Sequence, residues 1–164
     1  MRNFFTTIIC FLALAILIVG CKEDRNMIPN TYVNFEISLD DRDIKLQPGY
    51  IKTFSGNTHG YSNTTVVYRS GLGDIPEDDF HAYDVTCPNC YYYNPYYSYG
   101  CQIIDSTGCY TPPDLCFRCN CCMTEYNILS GFPQKVIDKQ NKYPLRKLKV
   151  TKGRWSGVFI VSNE

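Results

Sequence analysis

Phe80-His81-Ala82-Tyr83-Asp84-Val85-Thr86-Cys87-Pro88-Asn89-Cys90 is the stretch on which the fold turns. Residues 80 to 85, rich in aromatic and apolar side chains, read as a β-strand, and the strand runs directly into a Cys-x-x-Cys pair. Working outward, Val33, Phe35, Ile37 and Leu39 alternate with polar residues, the period-2 pattern of a half-buried strand. Residues 64–69, 101–104, 125–129, 145–150 and 157–161 read as further strands. Pro48-Gly49, Ser55-Gly56-Asn57, Gly71 to Gly73 and Lys152-Gly153 punctuate them as turns. No long helical period interrupts the series. Many short strands separated by turn signals predict an all-β, antiparallel sandwich or barrel.

At 164 residues the chain is long enough for one domain with a real core. Its 16 Lys and Arg balance 16 Asp and Glu, which gives no ground for a nucleic-acid partner. Basic residues do crowd the end of the chain, from Lys135 and Lys139 to Lys152 and Arg154, and read as the solvated faces of strands.

The N-terminus is read separately. Met1-Arg2-Asn3 carries one basic side chain, and an apolar run from Phe4 to Val19 follows, too short for a comfortable transmembrane helix. It closes on Leu17-Ile18-Val19-Gly20-Cys21, which resembles the lipobox of bacterial type II signal peptides. That resemblance implies a leader of residues 1–20 and lipidation at Cys21, with the acyl chains as the membrane anchor. Lys22-Glu23-Asp24 is similar to the export signal of surface lipoproteins in Bacteroidetes. Residues 21–31 read as a polar tether and residues 32–164 as a single β domain. The implied location is the cell envelope, as an outer-membrane lipoprotein.

Of ten cysteines, Cys10 falls in the leader and Cys21 is the lipidation site; the others lie between Cys87 and Cys122. Outside the cytoplasm such a cluster suggests disulfides, a metal, or both. Cys87 and Cys90 form one Cys-x-x-Cys, and Cys119 and Cys122 another. Two such pairs on two loops supply four thiolates to one tetrahedral metal. An oxidised chain could instead pair every one of these cysteines as disulfides. Residues 87–122, with the tyrosine run Tyr91 to Tyr99, read as a cysteine-stapled insertion in the β framework.

Phe80 to Pro88 resembles the strand that leads into the first cluster-binding loop of Rieske iron–sulfur domains, and in particular of Rieske-like lipoproteins in Bacteroidetes. Cys119-Asn120-Cys121-Cys122-Met123-Thr124-Glu125-Tyr126 is similar to the second loop, Cys-Pro-Cys-His-Gly-Ser-x-Phe. Ser130-Gly131-Phe132-Pro133 and Tyr143-Pro144-Leu145 resemble the family's glycine–proline loop and return strand. The resemblance implies the Rieske fold and a [2Fe-2S] centre on two cysteines and two histidines. Cys87 and Cys119 stand at the cysteine positions. Asn89 stands where the first histidine belongs and Cys122 where the second does; His59 and His81 match neither. An all-cysteine cluster on Cys87, Cys90, Cys119 and Cys122 is chemically open, as is a structural zinc on the same thiolates. The n-region lacks an Arg-Arg pair, which argues against export of a preassembled cluster. Cys121 matches a cysteine that bridges the two loops in some Rieske proteins. With four thiols on a metal, Cys101, Cys109, Cys116 and Cys121 would form two bridges.

These readings give a lipid-anchored envelope protein with a Rieske-like domain, its cluster site degenerate, acting as a non-catalytic binding or structural module toward an envelope protein or glycan. Electron transfer by an unconventional [2Fe-2S] centre is the alternative, and a structural zinc site the second. The tyrosine run is expected to pack its own rings against the cysteine knot. Asp40-Asp41-Arg42-Asp43 and Glu77-Asp78-Asp79 read as acidic turns rather than cation sites.

Overall fold

The computed structural model describes residues 28–39, 47–93, 101–105, 116–135 and 143–163. The leader, Cys21, Cys109, the acidic run from Asp40 and most of the tyrosine run lie outside the described residues. Within them the protein is all-β and antiparallel apart from one short helix and one 3-10 turn.

Among the described residues ten strands form two sheets. In chain order they are β1 (Asn34–Ser38), β2 (Ile51–Ser55), β3 (Thr64–Arg69), β4 (Phe80–Asp84), β5 (Ile103–Asp105), β6 (Cys116–Cys119), β7 (Glu125–Asn127), β8 (Pro133–Lys135), β9 (Lys147–Lys152) and β10 (Val158–Ser162). The larger sheet has the order β1-β10-β9-β4-β3-β2, and the smaller is β5-β6-β7-β8. A 3-10 turn, Pro76–Asp79, precedes β4, and a helix, α1 (Pro88–Tyr93), follows it.

The pleat explains which residues go where. In β9, Leu148 points into the core while Lys147 and Lys149 are exposed, so these basic residues are a solvated strand face. Val33 and Ile37 in and beside β1, Val67, Phe80, Ala82, Leu148, Phe159 and Val161 form one core on one face of the larger sheet. The opposite face of β3 and β4 carries Val66, Tyr68 and Tyr83, which pack with Phe117, Tyr126, Ile128 and Leu145 of the smaller sheet and its connections. Strands β3 and β4 are therefore covered on both faces, and consecutive residues at their centres, Val66-Val67-Tyr68 and Ala82-Tyr83, are all buried.

Tyr83 and Phe117 join the two sheets, with ring centroids 6.0 Å apart in an edge-on arrangement. The Tyr83 hydroxyl donates to the Leu129 carbonyl at 2.8 Å, and burial pushes its pKa up. Gly131 faces the same ring. It has φ +73°, and a Cβ there would stand 2.7 Å from Tyr83 Cε1, so a side chain is excluded both by conformation and by space.

The structure departs from the sequence reading in two places. Residues 28–31, expected to belong to a free tether, are docked. Ile28 is buried, the Arg146 guanidinium donates to the Pro29 carbonyl and the Asn30 side chain, and the Asn163 amide donates to the Thr31 carbonyl. In the cysteine-rich segment β5 falls on the strand read at residues 101–104, but β6 is a strand that the sequence reading lacks, and its Phe117 is fully buried.

Candidate metal centre

Strand β4 ends on Asp84, a buried carboxylate that accepts the Tyr61 N–H and the Thr86 N–H. The chain then bridges to Gln102 at Thr86, and the Cys87 N–H donates to the Cys101 carbonyl at 3.2 Å. Cys87 sits just ahead of α1. Pro88 occupies the first helical position, where a missing N–H costs nothing, and the Tyr91 N–H closes the first turn on the Cys87 carbonyl at 3.0 Å. One helical turn brings Cys90 to the side of Cys87.

The second loop is built by different means to the same effect. Strand β6 ends on Cys119, and the Met123 N–H returns to the Cys119 carbonyl at 3.1 Å. Met123 closes this turn with φ +56°, a conformation that favours glycine. Asn120 and Gln102 exchange two hydrogen bonds, the Asn120 N–H to the Gln102 carbonyl and the Gln102 N–H to the Asn120 side chain. Both loops are thus sewn to residues 101–103. A disulfide between Cys101 and Cys121 locks the second one there. Cys116 is also disulfide-bonded, to a partner outside the described residues.

Cys87, Cys90, Cys119 and Cys122 are free thiols, and their sulfurs all lie within 4.8 Å of one another. Cys87 and Cys119 are buried, while Cys90 and Cys122 are half-buried. Sγ–Sγ separations are 3.7 Å for Cys87 to Cys122 and 3.6 Å for Cys90 to Cys119, each across the two loops. With four sulfurs so close, the thiols share their hydrogen bonds. Hydrogen bonds from Cys119, Cys87 and Cys90 hold Cys122 well below the ordinary thiol range, whereas hydrogen bonds to Cys119 and Cys122 push Cys87 up. A divalent cation at the centre would take the place of the shared protons.

The surrounding groups are polar and ordered. The Tyr126 hydroxyl lies 3.4 Å from Cys87 Sγ, in the buried interior. Thr124 Oγ1 lies 3.2 Å from Cys122 Sγ and accepts from the Asn89 amide nitrogen at 2.9 Å. Asn89 and Thr124, one from each loop, are both buried. These three positions fall inside the motifs that the sequence offers, but their roles as supports do not follow from spacing. What could have marked Tyr126 and Thr124 is their alternation with Glu125 at the start of β7, which sends them to one face.

No family model matches the chain. A curated relative, the zinc metalloproteinase nas-24 of Caenorhabditis elegans, is 37% identical over 81 residues, which is 48% of this chain and 19% of that protein's length. Among solved structures, the ferredoxin of carbazole 1,9a-dioxygenase from Nocardioides aromaticivorans IC177 superposes with a TM-score of 0.46. It is 16% identical and covers 82% of this chain and 100% of its own. A complex of reduced oxygenase and oxidized ferredoxin in carbazole 1,9a-dioxygenase gives 0.46 at 20% identity, over 80% of this chain and 94% of that one.

The remaining candidates take structural places. His59 stacks on Phe35 at 4.1 Å between ring centroids and His81 on Tyr68 at 6.1 Å, so neither joins the thiol group. Burial, with Lys147 nearby, lowers the His81 pKa. The Asp79 carboxylate accepts the Gly73 N–H and faces Arg69 at 3.9 Å, which accounts for it as a turn residue. Tyr91 packs edge-on against Tyr61 at 5.3 Å, and Tyr92 lies 5.7 Å from Tyr143.

Proposed function

We propose that this chain is a lipid-anchored cell-envelope protein whose domain holds one metal ion, zinc, on Cys87, Cys90, Cys119 and Cys122, and that it acts as a non-catalytic binding or structural module. The observation that carries the metal reading is the compactness of the four sulfurs. A tetrahedral zinc with Zn–S near 2.3 Å needs sulfurs about 3.8 Å apart, against the 3.6 and 3.7 Å across the loops and the 4.8 Å limit for the whole group. A two-iron cluster gives each iron its own pair of thiolates and would require the pairs to spread apart. The ion would tie α1 to the loop after β6, which is the role of a structural zinc.

Electron transfer is the second reading. Its support is the half-buried state of Cys90 and Cys122, which leaves the site near the surface, together with the Rieske resemblance of both loops. Iron would take the same four thiolates.

The deciding experiment measures bound metal and free thiols on purified full-length chain. One zinc per chain with four protected thiols supports the structural module. About two irons per chain, with visible absorbance that bleaches on reduction, would make this an electron carrier. The anchor is tested separately by the mass of the membrane-extracted protein, which should carry acyl chains that Cys21→Ser removes.

A further inference from the structure

We propose that the four thiols also form a redox latch: oxidation closes two disulfides across the loops, Cys87 with Cys122 and Cys90 with Cys119, and expels the metal held between them. The metal half of this rests on the zinc reading above; the pairing half does not.

The geometry brings each of these pairs within reach. The Sγ–Sγ approaches at 3.7 and 3.6 Å both cross from the α1 loop to the loop after β6. A disulfide bond is about 2.05 Å long, so each pair closes by less than the width of an atom. Both loops are hydrogen-bonded to residues 101–103, which holds the two cysteine pairs side by side. Cys121, the neighbour that could compete for Cys122, is occupied by Cys101. Each cross-loop pair also joins one half-buried sulfur, which an oxidant can reach, to one buried sulfur that resolves the intermediate.

The chemistry balances with a small organic disulfide, R–S–S–R, as oxidant. The Cys122 thiolate attacks one reagent sulfur and expels R–S⁻; the Cys87 thiolate then attacks Cys122 Sγ and expels the second R–S⁻. Cys90 and Cys119 repeat the sequence. Each new cysteine disulfide gives two electrons to one reagent molecule, which leaves as two R–SH after taking up two protons. A divalent ion is released because no thiolate remains to hold it.

Reaction of zinc-loaded full-length chain with 2,2′-dithiodipyridine tests this. Zinc release is followed with a chelating dye, thiol loss by released thiopyridone, and pairing by mass spectrometry of non-reduced peptides. The expected result is one zinc freed for every four thiols lost, with peptides joined as Cys87–Cys122 and Cys90–Cys119. Cys122→Ser should still form Cys90–Cys119 and leave Cys87 as a free thiol. Peptides joined as Cys87–Cys90 and Cys119–Cys122, or thiol loss with zinc retained, would overturn the latch. A chain that takes up no zinc defeats the metal reading instead. Its reduced form, oxidised in the same way, still upholds the latch by cross-loop pairing or overturns it by pairing within the loops.

Discussion

The face of the larger sheet that carries Val67 and Ala82 and the cysteine end of the smaller sheet are held together by different physics. The first is apolar interdigitation, with Val33, Ile37, Val67, Ala82 and Val161 essentially removed from water, worth roughly 25 cal/mol per Å² buried. The second has three- and four-residue strands that bury Phe117 and Tyr126 against β3 and β4. It relies on a disulfide, a thiol group suited to a metal, and hydrogen bonds such as Asn89 to Thr124. Here cross-links add to burial and fix the loops that the short strands carry.

The strongest way to break this contrast is to attack the joint between the halves. Phe117→Ala should cost about 3–5 kcal/mol in urea unfolding, because it empties a fully enclosed site. The comparison is sharpened by replacing Cys101 and Cys121 together with serine. Removing this 20-residue closure should cost about 3 kcal/mol. Hydrogen exchange should accelerate first in residues 101–105 and 116–124, with β3, β4 and β9 still protected; uniform acceleration would show that the two ends are not separable. Gly131→Ala should cost at least about 1–2 kcal/mol, since it forces a side chain into a left-handed residue against the Tyr83 ring. Met123→Gly runs the other way and should stabilise by up to about 1 kcal/mol, read as a higher denaturation midpoint.

The smallest effect is a pH limb. Burial raises the folded pKa of Tyr83 above its ordinary value of 10.0. The neutral phenol is favoured in the folded state, so this contribution is fully present below pH 10 and is lost as pH rises above it. Denaturation midpoints should therefore fall above pH 10 in the native protein, and Tyr83→Phe should flatten that fall.

Sequence patterning reveals one of these halves better than the other. Strands β1, β3, β4, β9 and β10 carry their pattern openly, as alternation or as consecutive apolar and aromatic residues. Strand β2 escapes because it is a half-exposed edge with Lys52 and Thr53 at its centre. Strand β8 has three residues and begins with proline. In β6, Cys116 and Cys119 read as ligands or bridge ends, which masks the strand they bound. Helix α1 is too short to show a period. The paired Cys-x-x-Cys motifs point to Cys87, Cys90, Cys119 and Cys122. Spacing along the chain, however, does not say which cysteines pair, because Cys101 reaches Cys121 only through the pairing of β5 with β6.

The clasp of Arg146 on Pro29 and Asn30, beside the Asn163 contacts to Val33 and Thr31, has a mechanical consequence. A pull applied before residue 28 is borne first by this knot and then by β1 in shear against β10, where five residue pairs share the load along the strand. The four thiols stand at the start of α1 and at the end of β6 with the loop that follows, elements that neither strand pairs with, so tension on the N-terminus is spent before it can pry them apart.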